Sequence, residues 1–453
     1  MTGGPRTVAV VGGGILGSVL ALRLQQAGAR VTLLERAPSL GGLAATIDFD
    51  GHEVDRFYHV IVPSDDRMIA LTEELGLEDA LSFSPVGVGF FDGERTVPLD
   101  GLSDFARFPL LTPAGRARLA WFVASCQLRR DWSGLEDIPL ESWLLRHCGR
   151  EVVERIWRPL LDSRFDGSWA ELPATYLWAR TNRMRSARRN GGAETMGCLR
   201  GGHGRLIEAT ARRAAELGAE IRVGAGVEGL VQGADGAVTG VRVDGVDEPY
   251  DLVVATLQPP GLQRLLPDRL QGLLTAYPQR YLGVVCLILK LRESLLPYYS
   301  VNICRPTPIT TIVETSHVVG TEHTDGLRLA YVPKYCEASA PEFTEDDEVL
   351  YGRFTDMVAR IAPGFRHEDV VSWTVQRAPT VEPVHARGAV QRLAPVWPGV
   401  PGLGLASAAQ VYPRLLNGDS VVRLAEEVAV QATERLAGVV SAAPVAALPG
   451  GAP

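Results

Sequence analysis

Three glycines near the start of the chain have a spacing that suits phosphate binding. Gly12, Gly14 and Gly17 form the pattern G-x-G-x-x-G, with Ile15 and Leu16 between the last two. The first glycine permits a tight turn, the second lets the backbone approach a pyrophosphate, and the third lets a helix pack closely on a sheet. A helix N-terminus also offers free N–H groups and a positive dipole end. The turn therefore predicts a dinucleotide phosphate site, with a glycine turn that binds no ligand as the alternative.

The segments on both sides of this turn are predicted to form a βαβ unit. Residues 6–11 are short, apolar and β-branched, which predicts a buried strand, and a helical stretch follows until Gly28. Residues 30–35 predict a second strand that ends at Glu35. An acid about 20 residues after the turn accepts hydrogen bonds from the ribose hydroxyls and disfavours a 2′-phosphate. The unit thus predicts a dinucleotide without a 2′-phosphate, and Arg36 beside this acid belongs to the predicted site.

A second glycine pair, Gly41-Gly42, follows six residues after the acid. With this pair the sequence resembles the flavoprotein superfamily of flavin amine oxidases, protoporphyrinogen oxidases and phytoene desaturases, with UDP-galactopyranose mutase as a more distant relative. The resemblance implies FAD as the cofactor, with the second glycine pair running along it. Many members have an arginine after the pair, whereas this chain has Leu43, so the contact of that arginine is absent or supplied elsewhere. Leu43 is included in the predicted cofactor site.

Four later segments carry the same resemblance in the same order. Residues 199–206, Leu-Arg-Gly-Gly-His-Gly-Arg-Leu, resemble the family's glycine turn before a long helix. Residues 223–227 resemble the strand whose backbone meets the adenine, which implies a contact from Val227. Residues 251–256 resemble the strand that returns to the FAD domain. Residues 402–408 resemble the C-terminal strand, after which the chain crosses the pyrophosphate and the ribityl chain.

The predicted cofactor site ends near the last helix, which is predicted over residues 418–436. Many relatives have Ala-Gly-Asp after the last strand, with the aspartate near the ribityl or phosphate groups. Here Ser407 lies in the corresponding run and brings a hydroxyl without a charge. The helix start resembles the place where backbone amides approach the flavin pyrimidine edge, and Asp419 is a predicted N-cap, with a simple cap as the alternative. The predicted contacts there are Asn417, Gly418, Asp419, Ser420 and Val421.

A flavin would itself carry the redox chemistry, so the sequence needs no nucleophile, and we predict no metal site. His59 lies in the loop 55–65, which resembles a histidine-containing loop of the mutase relative that passes the flavin face. A histidine there can relay a proton or stabilise reduced flavin. A hydrogen-bonded structural histidine is the alternative.

Other polar side chains are weaker candidates for the reaction centre. Lys334 is one, because amine-oxidase relatives use a lysine bridged by water to flavin N5, although a surface lysine is the alternative. Tyr412 follows the last predicted FAD strand and is a candidate to face the ring. Glu314 and His317 are candidates for the substrate side, with ordinary strand-end positions as the alternative.

Charge and cysteine usage exclude several classes of protein. The net charge of -8 argues against a nucleic-acid partner, which needs a basic surface. Residues 180–189 contain five arginines, which form either a solvated helix face or an anion contact for the substrate. The six cysteines form no C-x-x-C pair, so we expect neither a zinc knuckle nor a redox dithiol. We expect free thiols in a reducing cytosol instead.

Hydropathy predicts a cytoplasmic protein. The N-terminal apolar run has no basic segment before it and is interrupted by glycines, unlike a signal peptide. Apolar runs stay well below the roughly 18 residues of a membrane-spanning helix. Residues 119–125 are the one hint of a membrane contact.

These observations predict an α/β fold, with a Rossmann-type FAD-binding domain assembled from discontinuous segments and an inserted α+β substrate domain. The discontinuous FAD-binding domain is what the resemblance of residues 199–206, 251–256 and 402–408 to the family's segments implies. The predicted limits are 1–95, 196–262 and 381–440 for FAD binding, 96–195 and 263–380 for the helical and sheet parts of the substrate domain, and 441–453 for a disordered tail.

Three functions remain open at this point. The first is an oxidase, dehydrogenase or desaturase that transfers a hydride from a C–N or C–C bond of a small-molecule metabolite to flavin N5. The second is a non-redox mutase or isomerase that acts on a sugar nucleotide. The third is a flavin-binding protein without catalysis.

Overall fold

The computed structural model describes residues 5–187, 194–275 and 277–438. The predicted tail at 441–453 lies outside the described residues. In chain order, the α-helices are α1 (Ile15–Gln26), α2 (Asp66–Glu74), α3 (Leu102–Arg107), α4 (Pro113–Leu128), α5 (Leu140–Val152), α6 (Arg158–Phe165), α7 (Ala174–Ala187), α8 (His203–Glu216), α9 (Pro259–Gln263), α10 (Ser316–Val319), α11 (Asp347–Ile361) and α12 (Gly418–Leu436).

The strands fall into one parallel sheet, one large mixed sheet and three smaller groups. In chain order they are β1 (Thr7–Val11), β2 (Arg30–Leu34), β3 (Thr46–Phe49), β4 (His52–Asp55), β5 (Leu81–Val86), β6 (Val88–Phe91), β7 (Thr96–Pro98), β8 (Glu194–Leu199), β9 (Glu220–Arg222), β10 (Val227–Gln232), β11 (Val238–Val243), β12 (Val246–Pro249), β13 (Leu252–Ala255), β14 (Arg280–Leu291), β15 (Ser300–Ile303), β16 (Thr311–Glu314), β17 (Arg328–Cys336), β18 (Val370–Val384) and β19 (Leu403–Leu405).

The parallel sheet has the strand order β19-β13-β1-β2-β9. Its strands come from the beginning, the middle and the end of the chain, and neighbouring strands pair in parallel, as in Val10 with Val254. This confirms the predicted α/β fold with a parallel sheet assembled from discontinuous segments. Strands that are covered on both faces consist of continuous apolar runs, so residues 6–11 and 30–35 could be predicted as strands from the sequence.

Each face of this sheet is covered by a different group of elements. Helices α1, α8 and α12 pack on one face, where Val8, Val10 and Leu33 point. The three-stranded group β10-β11-β12 covers the other face, towards Ala9 and Val11. Because side chains alternate along a strand, the apolar run of β1 supplies both of these cores.

The mixed sheet has the strand order β18-β14-β17-β16-β15-β6-β7. Helix α11 covers one face with Phe354 and Val358, and residues of β3, β4 and the following loop cover the other. The predicted limit at residue 95 falls between β6 and β7, so this sheet includes chain that the sequence assigns to the first FAD-binding segment. Pairing partners of this kind depend on contacts distant in sequence, which local patterns do not specify.

Helices α3 to α7 form a separate layer, as the helical region 96–195 predicts. Their core contains Phe122, Trp143 and Trp157, whose rings meet edge to face. Strand β6 contributes Val88 and Phe90 to this core, which joins the helical layer to the mixed sheet. Among the described residues, no helix is long and apolar enough to cross a membrane.

Candidate functional site

The glycine turn lies at the carboxyl end of β1 and leads directly into α1. Gly12 has a φ of 112°, which favours glycine, and a Cβ on Gly17 would lie 1.9 Å from the carbonyl oxygen of Gly12. Gly12 and Gly17 are therefore required by the turn itself. Gly14 differs, because a Cβ there would meet only the carbonyl oxygen of Gly41, at 3.8 Å. The open space beside Gly14 is where the predicted pyrophosphate needs a close approach to the backbone.

Glu35 lies beside this turn, as the ribose-binding acid should. Its Oε2 accepts a hydrogen bond from the N–H of Gly13 at 2.6 Å, and its Oε1 accepts one from the N–H of Ala37 at 2.7 Å. The backbone of Glu35 also pairs with the segment after β9, because Ala225 donates to its carbonyl oxygen at 2.9 Å. The acid is thus held in place by the backbone and faces the same cavity as Gly14.

The second glycine pair packs directly against the first. The N–H of Gly41 donates to the carbonyl oxygen of Gly13 at 2.9 Å, and Gly41 forms a β-bridge with Gly14. Gly41 has a φ of 130°, and a Cβ there would lie 2.4 Å from Cα of Ala45. A side chain at Gly41 would therefore disrupt the turn, which explains the glycine that the sequence analysis associated with the cofactor.

A large cavity of about 1130 Å³ extends from the glycine turn to the helical layer. Most of the predicted cofactor residues lie on its wall. These are Gly12, Gly14, Ile15, Leu16, Glu35, Gly41, Gly42, Leu43, Asn417, Gly418, Asp419 and Val421. The sequence therefore selected residues from both ends of the chain that the fold brings to one cavity. Their contact with a cofactor stays a prediction.

The start of α12 differs from the prediction in which residue caps it. Asn417, rather than Asp419, is the N-cap, and its side chain accepts a hydrogen bond from the N–H of Ser420 at 3.0 Å. Asp419 instead accepts from the N–H groups of Arg67 and Met68, at 2.7 and 3.1 Å, in the first turn of α2. Burial raises the pKa of Asp419, against the effect of these N–H donors. The predicted N-cap role of Asp419 was therefore wrong, because its side chain caps a neighbouring helix.

His59 lines the cavity, as predicted, in the loop after β4. Its ring lies against that of His203, with 4.7 Å between the ring centroids. Burial, together with the positive charge that His203 can carry, lowers the pKa of His59 to about 4, while Asp55 opposes this shift. His59 is therefore uncharged at neutral pH, and a role as a charged proton donor would require a further change in its surroundings.

The half-buried Arg164 and the buried Glu382 form an ion pair on the cavity wall, with 2.6 Å between Nη2 and Oε2. Arg164 also lies over the ring of Tyr335, 4.0 Å from its centroid. Burial acts to lower the pKa of Arg164, but Glu382 and the surrounding tyrosines outweigh this, so its pKa is raised. This ion pair is a charged group among tyrosine side chains on the cavity wall, and the sequence analysis did not identify it.

The arginine-rich segment contributes two residues to the cavity. Arg180 and Arg183 lie on the wall, and Arg183 forms an ion pair with Asp65 at 2.7 Å. Arg185 is exposed, and Arg188 and Arg189 lie outside the described residues. The segment is therefore neither a wholly solvated helix face nor a single arginine cluster. Arg180 is the arginine of this segment that a substrate anion could reach.

The helical layer supplies an apolar arm to the cavity. Helix α4 presents one face over nine residues, from Leu119 to Gln127, and the chain around α6 presents a second face, from Ile156 to Leu161. At 1.5 Å per residue the α4 face is about 12 Å long. The apolar lining of this arm is Val88, Phe90, Leu99, Leu102, Phe105, Phe108, Leu119, Ala120, Val123, Ala124, Ile156, Trp157, Leu160, Leu161 and Leu177.

Two of the predicted catalytic residues do not lie on the cavity wall. Lys334 alternates with Pro333 and Tyr335, which do line it, so its side chain points to the opposite face of β17 and lies 3.6 Å from Asp166. Tyr412 is buried and donates a hydrogen bond to Glu136. Sequence alone could not assign these directions, because they depend on how β17 and the chain after β19 pack.

Several predicted contacts also lie off this wall. Ser407 caps the 3₁₀ turn at 408–411 through a reciprocal hydrogen bond with Gln410. Val227 is the first residue of β10 and follows two residues after Ala225, which donates a hydrogen bond to the carbonyl oxygen of Glu35. The other predicted residues away from the wall are Arg36, which is exposed, and Gly17 and Ser420, which are buried in α1 and α12.

The two substrate-side candidates are also away from the cavity. Glu314 accepts hydrogen bonds from the hydroxyl of Ser294 and the N–H of Leu295, at 2.9 and 3.1 Å. His317 lies 3.6 Å from Glu314. Strand β16 directs Val313 to the cavity instead, because successive side chains of a strand point to opposite faces.

The glycine turn, the acid and the second glycine pair lie at one end of this cavity, an arrangement typical of oxidoreductases that bind a dinucleotide. The sequence model of the family described as flavin containing amine oxidoreductase matches residues 19–417. The chain therefore belongs to that family, and the predicted family resemblance is confirmed. A flavin cofactor follows from this membership, and the free space beside Gly14 suits it.

Individual relatives agree with this assignment. The chain is 27% identical over 184 residues to the coproporphyrinogen III oxidase of Bacillus subtilis, covering 37% of this chain and 38% of that protein. It is 28% identical over 289 residues to the phytoene desaturase of Fusarium fujikuroi, covering 55% of this chain and 49% of that protein. The chain thus spans half or less of the length of these two curated relatives.

A solved structure of reduced UDP-galactopyranose mutase has a similar fold. Its TM-score is 0.70 at 15% sequence identity, and the match covers 96% of this chain and 96% of that one. At this identity the similarity concerns the fold alone.

Proposed function

We propose that this protein is an FAD-dependent oxidoreductase that removes a hydride from a C–C or C–N bond of an elongated, mostly apolar metabolite. The observation that carries this proposal is the single cavity that connects the glycine turn with the apolar arm. Such a cavity provides one end for a dinucleotide and another for a substrate.

FAD is favoured over a smaller flavin by the groups at the first end. The glycine turn at 12–17 and the acid Glu35 suit a pyrophosphate and an adenosine ribose, which only a dinucleotide has. Bound there, FAD would supply the hydride acceptor. His59 and four residues at the start of α12 lie on the same wall, at positions that the family resemblance associates with the flavin; the four are Asn417, Gly418, Asp419 and Val421.

The substrate class is inferred from the lining of the apolar arm. Apolar side chains from β6, α3, α4 and the chain around α6 exclude water and stabilise hydrocarbon by about 0.8 kcal/mol for each buried CH₂ group. The ion pair of Arg164 with Glu382, and Arg180 nearby, provide polar contacts that orient one part of the substrate. An elongated molecule with one polar or anionic group fits this combination.

The position of the lysines favours a C–C bond over a C–N bond. The chain has two lysines, Lys290 and Lys334. Lys334 points away from the cavity, and the buried Nζ of Lys290 donates to the carbonyl oxygen of Phe49 and lies 2.8 Å from Nδ1 of His52. Neither lysine lines the cavity, so this cavity has no lysine for the lysine-assisted chemistry of the amine-oxidase relatives.

The proposal is tested first on the purified protein. We expect the absorption spectrum of an oxidised flavin, and mass spectrometry of the released cofactor should identify FAD. Anaerobic mixing with apolar compounds that carry an oxidisable C–C bond should then bleach the flavin absorption. Turnover that requires prior reduction of the flavin and consumes no electron acceptor would identify the mutase class instead. A protein that purifies without flavin, and does not take it up, would refute both.

The role of the apolar arm is tested with a matched pair of α4 variants. Ala124 lies on the cavity wall, whereas Ala117 is exposed on the same helix and does not line the cavity. We expect Ala124→Trp to fill the arm and to weaken binding of long alkyl ligands, while Ala117→Trp does not. In the wild type, affinity should rise roughly fourfold for each added CH₂ group until the arm is full. Equal effects of the two substitutions would show that the arm does not hold the ligand.

A further inference from the structure

Three side chains with metal-binding atoms meet at the cavity wall. Asp55 is the last residue of β4, His59 follows in the next loop, and His203 is the first residue of α8. One ligand atom from each lies within 4.8 Å of the others. The sequence analysis predicted no metal site, because flavin chemistry needs none. His203 is more than 140 positions away from the other two residues, and only the fold brings the three together.

Two of these side chains contain buried nitrogens without a hydrogen bond. Nδ1 of His203 has no hydrogen-bond partner among the described residues, and the side chain is 3% exposed. Nδ1 of His59 is also buried without a hydrogen-bond partner among the described residues, although His59 as a whole is half-buried. Oδ2 of Asp55 lies 3.5 Å from Nδ1 of His203, too far for a well-formed hydrogen bond. Buried polar atoms of this kind are rare in proteins, and a bound ion is one of the explanations for them.

The donor set identifies the kind of ion. Two imidazole nitrogens and one carboxylate are typical ligands of Zn²⁺ and of other first-row transition metals. Ca²⁺ and Mg²⁺ prefer sites made mostly of oxygen, and this site offers one carboxylate. We propose that Asp55, His59 and His203 bind one divalent transition-metal ion. This proposal is separate from hydride transfer, which needs no metal.

The surroundings hold the three ligands close to the required arrangement. Oδ1 of Asp55 accepts a hydrogen bond from the N–H of His203 at 2.7 Å, which leaves Oδ2 for the ion. The hydroxyl of Tyr331 donates to the carbonyl oxygen of Asp55 at 2.8 Å. Gly202 is required here, because a Cβ would lie 2.8 Å from Oδ1 of Asp55. Fixed neighbours of this kind orient metal ligands and strengthen binding.

Binding requires only a small contraction of the site. Transition metals bind imidazole nitrogen and carboxylate oxygen at about 2.0–2.2 Å, so tetrahedral ligands lie about 3.4 Å apart. The ligand atoms now lie within 4.8 Å of one another, so small rotations of the side chains would bring them to this separation. Because His59 and His203 line the cavity, the fourth position of the ion would be open to water or to a polar group of the substrate.

The test is a metal titration of the flavin-containing protein after treatment with a chelator. We expect one equivalent of Zn²⁺ to bind, measured by competition with a chromophoric chelator. Co²⁺ should give visible absorption bands of a tetrahedral or five-coordinate complex. Asp55→Asn and His203→Gln should each weaken Zn²⁺ binding at least tenfold, because each removes one ligand. Asparagine still offers Oδ1 to the N–H of His203, so this substitution preserves the local fold.

His367→Gln is the matched control, because His367 is exposed and lies outside the cluster. It should bind Zn²⁺ like the wild type. Thermal unfolding without metal tells whether each variant is folded, and Zn²⁺ should raise the unfolding temperature of the wild type but not of Asp55→Asn. Binding of less than one equivalent by the wild type would overturn the proposal. So would Zn²⁺ binding that neither cluster variant weakens, or that His367→Gln weakens equally.

Discussion

Replacing Gly14 with alanine should separate cofactor binding from folding. Gly14 has a φ of −75° and a ψ of −177°, which any residue can adopt, and its Cβ would meet only the carbonyl oxygen of Gly41 at 3.8 Å. The protein without flavin should therefore keep its stability or gain about 0.4–1 kcal/mol, because alanine restricts the unfolded chain.

The same Cβ would occupy the space where the pyrophosphate is expected. Loss of one hydrogen bond to a charged group costs about 1.5–3 kcal/mol. This cost corresponds to a rise in the Kd of FAD of roughly 10- to 150-fold. Unlike Gly14→Ala, Gly17→Ala should prevent the turn from forming, because its Cβ would lie 1.9 Å from the carbonyl oxygen of Gly12.

Two measurements on the flavin-free protein check this prediction. Titration with FAD, followed by flavin fluorescence, gives the Kd, and thermal unfolding gives the stability. Gly352→Ala is the control, because no atom lies within 4 Å of the added Cβ and α11 is remote from the cavity. Wild-type FAD affinity in Gly14→Ala would refute the assignment of the phosphate position. A clear loss of stability would refute the claim that the space beside Gly14 is free.

Three further predictions concern other parts of the molecule. Glu35→Gln should destabilise the protein by about 1–3 kcal/mol and weaken FAD binding, because the new amide cannot accept both backbone hydrogen bonds; urea unfolding and FAD titration measure this. Burial lowers the pKa of His385 to about 3, below the unfolded value of about 6.5. The contribution of the neutral imidazole to the free energy of unfolding is therefore complete above pH 6.5. It falls by about 1.4 kcal/mol per pH unit as the pH drops towards 3. His385→Gln should remove that part of the slope in urea unfolding over this range, and an unchanged slope would contradict the assignment. Lys334→Met should leave the flavin spectrum and turnover unchanged and cost at most about 1 kcal/mol, because the side chain faces Asp166; a large loss of activity would restore it as a catalytic candidate.

The sequence predicted the glycine turn and the last helix well because these elements depend on local rules. The glycine turn requires Gly12 and Gly17 at fixed spacing within one βαβ unit. The last helix was predicted over 418–436, and α12 has these limits, because an apolar face at helical spacing extends along it and the polar N-cap Asn417 directly precedes it. In these cases the residues that determine the structure are neighbours in the chain.

The substrate end was predicted poorly because it depends on packing between distant segments. Lys334 was a candidate, but β17 turns it away from the cavity, and the direction of a strand residue is fixed only when the sheet is known. Arg164 was missed because its partner Glu382 is 218 positions away. The sequence analysis did not select His203 as a site residue, although it lies in the glycine turn at 199–206. The histidine within that turn was the signal that could have identified it.

The assembly of the parallel sheet has a consequence for how the protein is made. Strand β19, at residues 403–405, pairs with β13, which pairs with β1, so the edge of the parallel sheet beside the glycine turn is built from segments that lie far apart in the sequence. Contacts between such distant segments form slowly. We therefore expect flavin binding to require that residues 403–405 have been synthesised, and chains that stop before residue 403 should expose the apolar edge of β13 and aggregate.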